Sequence, residues 1–396
     1  MVLATGGSAG AVGVPIARSA AAVPCPLPDP PPARPARPST PPLSATDRAV
    51  GGAGLVTAGL AAPAGAPAPP GVSAASWVVA DLDSGAVLGA CGPHEYGIPA
   101  SVQKLLLVET FLPKLDPHRV VEVTDEDMNF EPGSSAMGLV KGGRYPIETL
   151  WLGLLLNSGN DAANVLARLG GGAGGLSAGV AAMNAEARRL GANQTHAATP
   201  SGLDGPGQFT SAYDLALIAR ADFDRDDFRR YAATRQAQVP GQPTQLPGQS
   251  SPNPDGFRIV NDNQLLYQYP GALGGKTGYT DLARHSFVGA ADRGGRRLLV
   301  TLLGAELPAR GWQQGAALLN WGYGLPRDAA VGQLVAPAGA SPTVTAAPVG
   351  GGQRVAGARS GGALSGPLGV GLLALLLGTL VAVVGLSRMA GRRSVR

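Results

Sequence analysis

The segment "IPASVQKLLLV", residues 98–108, places a lysine in a run that otherwise has the composition of a buried helix. Ser101 and Lys104 are three residues apart, so on a helix both project from one face, about one turn apart. Four apolar residues follow, so the segment belongs to a core. An unpaired buried ammonium is costly and usually loses its proton instead. We therefore interpret Lys104 as a base beside the Ser101 hydroxyl.

Composition divides the 396 residues around this segment into unequal parts. Residues 1–71 are mostly Ala, Gly, Pro, Val and Ser, too few large side chains to offset the entropy of ordering, and are predicted to be disordered. Residues 326–365 have a similar composition and are predicted to be a flexible linker. Between them, residues 72–325 are long enough for one sizeable core and form the predicted catalytic domain.

A membrane anchor is predicted near the C-terminus. Residues 366–386, "GPLGVGLLALLLGTLVAVVGL", are uncharged and mostly apolar over a length that can span a bilayer. Four arginines fall within the basic tail 387–396, which the positive-inside rule assigns to the cytoplasm. The expected protein is thus a single-pass cell-membrane protein with its catalytic domain outside the cytoplasm.

A catalytic domain outside the cytoplasm requires an export signal near the N-terminus of the chain. Residues 48–66 have one positive charge, an apolar stretch and the small-residue triplet Ala64-Gly65-Ala66, so we take them as the candidate signal. Under this hypothesis the natural protein starts downstream of Met1, unless the residues before the signal form a cytoplasmic extension. The two cysteines, Cys25 and Cys91, are not expected to form a disulfide framework or a metal site.

Strand patterns lie at both ends of the central region and helical patterns lie between them. Two short strands flank the turn at residues 83–85, and a second hairpin turns at residues 292–295. Apolar helical runs fill the middle, and a helix with a Ser211 cap precedes the second hairpin. The first and last strands can pair in one antiparallel sheet with a helical subdomain alongside. The expected fold class is therefore α+β.

Three short motifs carry the predicted chemistry. Ser101-Val-Gln-Lys104, Ser158-Gly-Asn160 and Lys276-Thr-Gly278 are each common by chance, but together and in this order they are informative. The set is close to that of penicillin-binding proteins and class A β-lactamases. Net charge is only +4 with no basic stripe in the central region, so no nucleic-acid partner is expected.

Each residue type in these motifs suits one step of acyl transfer through a serine. Ser101 needs a neighbour to remove its proton, and Lys104 can do so if burial and a second cation such as Lys276 lower its pKa. Ser158 can pass a proton to the leaving amine, and Asn160 can hold the substrate amide. The site needs no cofactor or metal.

The third motif suits a substrate carboxylate and an oxyanion. Lys276 and Thr277 offer one charge and one hydroxyl donor at a strand edge, and Gly278 lets a ligand backbone lie close to that strand. The backbone N–H groups of Ser101 and Tyr279 would form the oxyanion hole.

The motifs and their flanks resemble the serine D-alanyl-D-alanine carboxypeptidases, the low-molecular-mass penicillin-binding proteins. The likeness spans residues 72–325 and includes "LLLNSGNDAANVLA" and "YPGALGGKTGYTDLARHSFVGAADRGGRRLLV". It implies a β-lactamase-like fold, removal of the terminal D-alanine from peptidoglycan stem pentapeptides ending in D-Ala-D-Ala, and inhibition by β-lactams. It also implies a carboxylate-binding arginine after the third motif, and Arg310 is the candidate.

Three rival functions remain open from the sequence. A β-lactamase of this fold would use a further glutamate in a Glu-x-x-Leu-Asn loop, which we do not find. A DD-endopeptidase shares all three motifs. An inactive, membrane-tethered wall-binding protein would not need the motif side chains to be intact. The histidines, including His285, show no ligand spacing and are expected to be surface or hydrogen-bonded residues rather than a catalytic base.

Overall fold

The computed structural model describes residues 22–34, 40–242 and 253–339. A seven-stranded antiparallel sheet forms its centre. The strands of that sheet are β1 (Leu60–Ala61), β2 (Ser76–Asp81), β3 (Ala86–Cys91), β8 (Ala272–Thr280), β9 (Arg284–Arg293), β10 (Arg296–Ala305) and β11 (Gly332–Gln333). Two small hairpins pair β4 (Val120–Glu122) with β5 (Arg144–Pro146) and β6 (Gln236–Val239) with β7 (Phe257–Val260).

Nine α-helices accompany these strands in the described part of the chain. They are α1 (Ala45–Arg48), α2 (Lys104–Phe111), α3 (Ile147–Leu156), α4 (Asn160–Gly171), α5 (Gly175–Arg189), α6 (Ala212–Phe223), α7 (Asp226–Ala233), α8 (Leu265–Gln268) and α9 (Gly311–Gly324). Short 3-10 turns cover Ala53–Leu55, Ala100–Gln103, Glu126–Met128 and Gly172–Gly174.

The strand order is β1-β3-β2-β10-β9-β8, with β11 beside β3. The first hairpin, β2–β3, pairs with the last one, β9–β10, through β2 and β10, where Val79 lies opposite Val300. This is the predicted pairing of the two ends of the domain. The α+β class and the antiparallel sheet are therefore confirmed.

Both faces of the sheet are buried because apolar residues occupy both sides of the central strands. On β2, Val78 faces the large core shared with the helical subdomain, and Trp77 faces a second, smaller core. Helix α6 packs against β2 and β10 in the larger core, and α9 lies against β9 and β10 in the smaller one. There Trp321 meets Trp77 edge-on, with ring centroids 6.0 Å apart. The sheet is thus a rigid support, and β8 is its edge strand.

Residues 1–71 were predicted to be disordered, and this prediction is wrong for residues 22–34 and 40–71, which the structure describes. Strand β1 pairs with the end of β3, and Leu55 has no exposed surface. Alanine and glycine contribute little area each, but here they cover the outer edge of β3 closely. The candidate export signal at 48–66 therefore belongs to the folded domain, since cleavage after it would remove β1 and Leu55.

The predicted C-terminal boundary of the catalytic domain, at residue 325, is also wrong. Strand β11 pairs with β3, and Leu334 is buried, so the folded domain continues past residue 325 into the expected linker. Both β1 and β11 lie on the edge of β3 that β2 leaves free. Two short pairings, one at each end of β3, therefore close this side of the sheet.

The two cysteines form a single disulfide bond with each other, where neither a disulfide framework nor a metal site was expected. Cys25 and Cys91 are 66 positions apart, and their Cα atoms are 5.8 Å apart. The bond attaches residues 22–34 to the end of β3. Backbone contacts support the same attachment, because Leu60 N–H donates to the carbonyl of Val23. The N-terminal segment is thus a strap across the sheet edge.

Within the described residues, no helix is both long and apolar enough to cross a bilayer. The predicted span at 366–386 and the basic tail after it lie outside those residues.

Candidate active site

The nucleophile candidate lies on the turn that leads into helix α2. Ser101 belongs to the 3-10 turn Ala100–Gln103, and Lys104 is the first residue of α2. Lys104 Nζ is 2.8 Å from Ser101 Oγ. The one-turn spacing predicted from the sequence therefore places amine and hydroxyl in direct contact.

Burial sets the protonation of Lys104. The residue has no exposed surface, and its Nζ also lies 3.3 Å from Ser158 Oγ and 2.7 Å from Asn160 Oδ1. Desolvation holds the pKa of Lys104 well below its ordinary value, and the charge of Lys276 lowers it further, against an opposing effect of Asp161. A neutral amine next to a serine hydroxyl is able to accept its proton.

The second motif occupies a break between two helices. Helix α3 ends at Leu156 and α4 begins at Asn160, so Ser158 and Gly159 form the connection. Ser158 has φ 65°, a left-handed conformation that costs energy for a residue with a side chain. The break turns Ser158 and Asn160 towards Lys104.

Backbone strain is concentrated around this site. Three non-glycine residues of the described chain have positive φ: Ala100 at 50°, Ser158 at 65° and Arg284 at 57°. Ala100 precedes the nucleophile, and Arg284 precedes His285 in the cleft. Such strain persists only where the surrounding structure fixes it, which is typical of functional sites.

A loop that the sequence did not single out completes the second motif. The carboxylate of Asp161 accepts the backbone N–H groups of Met137, Gly138 and Leu139 at 2.9–3.0 Å. This holds the preceding residues so that Ser134 Oγ accepts from Asn160 Nδ2 at 2.9 Å. The Asn160 amide is thereby fixed from both sides, by Ser134 and by Lys104.

The third motif lies on β8, the edge strand of the sheet. Lys276, Thr277, Gly278 and Tyr279 pair on one side with residues of β9, and the other side faces the nucleophile turn. A Cβ on Gly278 would lie 2.9 Å from the backbone nitrogen of Ser101. The absence of a side chain therefore allows β8 and the nucleophile turn to come together.

Lys276 supplies a buried positive charge at this edge. The side chain is 1% exposed, and its Nζ donates to the carbonyl oxygen of Thr277 at 2.7 Å. Burial lowers the pKa of Lys276 to about 8, although the charge of Asp262 opposes the effect. The group is therefore mostly protonated at neutral pH.

A cleft of about 530 Å³ opens in front of these groups. Ser101, Ser158, Thr277 and Tyr279 line it, and the buried amines lie behind its wall. Arg310, at the start of α9, also lines the cleft. The structure thus brings every predicted site residue to one place.

Several cleft residues were not predicted. His285, Ser135 and Trp312 share the lining. His285 faces Tyr279 across the β8–β9 pair, with ring centroids 4.7 Å apart. Ser286 donates from Oγ to the carbonyl of Pro99 at 2.6 Å and so fixes the turn before the nucleophile.

Comparison with known families agrees with this geometry. The family model described as D-alanyl-D-alanine carboxypeptidase, Peptidase S11, matches residues 64–307. The chain belongs to this family. As an S11 member it is a serine peptidase.

Individual members of the family are similar to this chain in sequence. The D-alanyl-D-alanine carboxypeptidase DacB2 of Mycobacterium tuberculosis is 43% identical over 278 residues, which are 69% of this chain and 90% of that protein. DacD of Salmonella typhimurium is 34% identical over 269 residues, 65% of this chain and 64% of that protein.

Solved structures share the fold. The crystal structure of a D-alanyl-D-alanine carboxypeptidase from M. tuberculosis H37Rv aligns with a TM-score of 0.63 and 42% identity, covering 69% of this chain and 99% of that one. The DD-transpeptidase of Streptomyces K15 aligns with a TM-score of 0.60 and 25% identity, covering 65% and 99%. The S11 fold thus accounts for about two thirds of the chain.

The contact between β8 and the nucleophile turn leads to a prediction for this S11 site. Gly278→Ala should lower the acylation rate of Ser101 by about 10²-fold, because the new Cβ would clash with Ser286 Oγ and lie 2.9 Å from the Ser101 backbone nitrogen, which displaces the oxyanion donors. Stopped-flow acylation by a chromogenic penicillin measures the rate. Gly324→Ala is the control, since a Cβ there meets no atom within 4 Å. An unchanged rate in Gly278→Ala would contradict the account of the close approach.

Proposed function

We propose that this chain removes the terminal D-alanine from peptidoglycan stem peptides that end in D-Ala-D-Ala, through an acyl-serine intermediate that β-lactams also form. The observation that carries the proposal is the contact of the buried Lys104 amine with Ser101 Oγ at 2.8 Å. Homologues named as D-alanyl-D-alanine carboxypeptidases support the substrate. The role expected of the chain is remodelling of the cell wall.

The proposed acylation assigns one step to each group. Ser101 Oγ attacks the carbonyl carbon of the penultimate D-alanine while neutral Lys104 takes its proton. The backbone N–H groups of Ser101 and Tyr279 bind the oxyanion. Lys104 returns the proton through Ser158, 3.3 Å away, to the leaving amine, and free D-alanine departs. Water then hydrolyses the acyl-enzyme and regenerates Ser101.

Substrate binding is assigned to the remaining groups. Asn160, held between Lys104 and Ser134, binds the substrate amide. Thr277, Lys276 and Arg310 are assigned to the terminal carboxylate, because Thr277 and Arg310 line the cleft and the buried Lys276 amine adds a positive charge next to Thr277.

Release of D-alanine tests the proposal directly. A peptide ending in D-Ala-D-Ala should lose one D-alanine per turnover, and Ser101→Ala should abolish the release because no other described hydroxyl lies as close to Lys104. Release that persists in Ser101→Ala, or cleavage of cross-linked peptides alone, would contradict the carboxypeptidase assignment.

The pKa values of the buried residues Lys104 and Lys276 predict how kcat/KM depends on pH. We expect kcat/KM to fall about tenfold per pH unit above the Lys276 pKa of about 8, because deprotonation removes the charge that binds the carboxylate. The acid limb belongs to Lys104, whose base form is retained to lower pH because its pKa is depressed. Lys276→Arg should move the alkaline limb upward, since guanidinium stays charged. A flat profile to pH 10 in the unaltered enzyme would contradict the role of Lys276.

We also propose that residues 366–386 anchor the chain in the cell membrane with the catalytic domain outside the cytoplasm and the C-terminus inside. The disulfide supports the location, because such bonds form and persist in oxidising compartments. Protease treatment of intact cells should degrade the catalytic domain and leave a C-terminal epitope protected. A protected catalytic domain would overturn this topology.

A further inference from the structure

Helix α2, which begins with Lys104, carries a half-satisfied carboxylate near its other end. The side chain of Glu109 is only 11% exposed, and its Oε1 accepts from Arg189 Nη2 of α5 at 3.2 Å. Its second oxygen, Oε2, is buried and has no hydrogen-bond partner among the described residues. One oxygen of the Glu109 carboxylate is therefore left without a donor.

Asp222, on helix α6, is a second buried carboxylate without a donor. Helices α2 and α6 pack against each other. Asp222 has no exposed surface, and neither of its carboxylate oxygens has a hydrogen-bond partner in the described part of the chain. The neighbouring guanidinium of Arg225 donates to Asp227 instead, at 2.6 and 3.1 Å. A buried carboxylate that has no donor is costly when ionised, so the group keeps its proton.

The charges around these two carboxyl groups favour the same state. Burial raises the pKa of Asp222 well above its ordinary value, and the charge of Glu109 is the largest electrostatic contribution to that increase. Burial also raises the pKa of Glu109 to about 7. Three acidic and two basic groups act on the pair from α5 and from the segment that leads from α6 into α7. They are Glu186, Asp224, Asp227, Arg189 and Arg225.

We propose that Asp222 and Glu109 share a proton in the folded protein and so form a pH-sensitive latch between α2 and α6. Each group supplies what the other lacks, because protonated Asp222 has an O–H to donate and ionised Glu109 has a free acceptor oxygen. When both groups ionise, the hydrogen bond is lost and two buried like charges repel each other. Since Lys104 is the first residue of α2, this latch holds the helix that carries the proposed base.

The sign of the pH dependence follows from the raised pKa values. Both carboxyl groups bind protons more tightly in the folded protein than in the unfolded one. Their contribution to stability is therefore complete below about pH 4, near their unfolded pKa values, and is lost as the pH rises through the folded ones. The lowered pKa values of buried Lys104 and Lys276 change stability in the opposite direction. The test must therefore compare variants instead of relying on one curve.

Asp222→Asn isolates the contribution of the shared proton. Asparagine has the same shape, can still donate to Glu109 and does not titrate. The unfolding constant of the unaltered protein, divided by that of the variant, should rise above pH 5 by up to about tenfold per pH unit, the limit for one proton. Urea denaturation of the full chain at pH 5, 6, 7 and 8 measures both constants. Parallel stability curves for the two proteins would overturn the latch.

A second variant and a measurement on the unaltered protein complete the test. Glu109→Gln should flatten the pH dependence mainly below pH 7, because the pKa of Glu109 is about 7. Asp328→Asn changes an exposed carboxylate outside this cluster and should keep the pH dependence of the unaltered protein. Carbon-13 NMR of the Asp222 carboxyl group needs no variant and should show a neutral group at pH 6. An ionised Asp222 at that pH would contradict the shared proton.

Discussion

Lys104→Arg is expected to lower the acylation rate of Ser101 by about 10²–10⁴-fold, the contribution typical of a positioned general base. Arginine keeps the positive charge but does not deprotonate in proteins, so it cannot accept the serine proton. The unaltered lysine can accept it because burial and Lys276 depress its pKa. The rate of penicillin acylation, followed by intact mass, measures the effect.

Two further variants separate loss of the base from loss of the fold. Lys104→Met has a similar length without an amine and should lose a comparable factor. Lys114→Arg changes an exposed lysine of the same region and should acylate normally. Melting temperatures of all three show whether they fold. Normal acylation by folded Lys104→Arg would contradict the assignment of Lys104 as the base.

Removal of the Cys25–Cys91 bond is expected to lower the free energy of unfolding by about 4 kcal/mol. The bond closes a loop between positions 66 apart, and chain entropy gives a value of this size for loops between 15 and 100 residues. Urea denaturation of Cys25→Ala, compared with the unaltered protein, measures the difference.

Reduction provides the matched control for this variant. The reduced unaltered protein should unfold at the same urea concentration as Cys25→Ala, because both lack only the cross-link. Val23 and Arg34 still contact the sheet edge and residues 73–74 in either case, so the fold is retained. Equal stability with and without the bond would contradict its role as the fastening of the N-terminal strap.

The sheet could be predicted from local patterns. The Asp83–Gly85 and Asp292–Gly295 turns stand between alternating or continuous apolar runs, which is the local signal of a hairpin. The structure places those turns between β2 and β3 and between β9 and β10. The contact between Ser101 and Lys104 could also be predicted from local sequence, because residues three apart lie about one helical turn apart.

Long-range and small-residue features could not be predicted in the same way. The positive φ of Ser158 could not be predicted locally, because contacts that are distant in sequence surround it, such as those of Ser158 with Lys104 and of Asn160 with Ser135. The Asp161 carboxylate reaches back more than twenty residues to position Ser134. Alanine, glycine and proline in residues 40–71 resembled a disordered tail in composition, yet they cover the edge of β3 because close approach needs small side chains.

The central claim is that Ser101 is an acylated nucleophile, and intact mass after incubation with benzylpenicillin tests it most directly. The full chain should gain the mass of one penicilloyl group, and peptide mapping should locate that group on Ser101. The adduct should be long-lived, since rapid hydrolysis is not expected of a carboxypeptidase. An unmodified protein with hydrolysed drug would indicate a β-lactamase instead, and an unmodified protein with intact drug would contradict the acyl-serine site altogether.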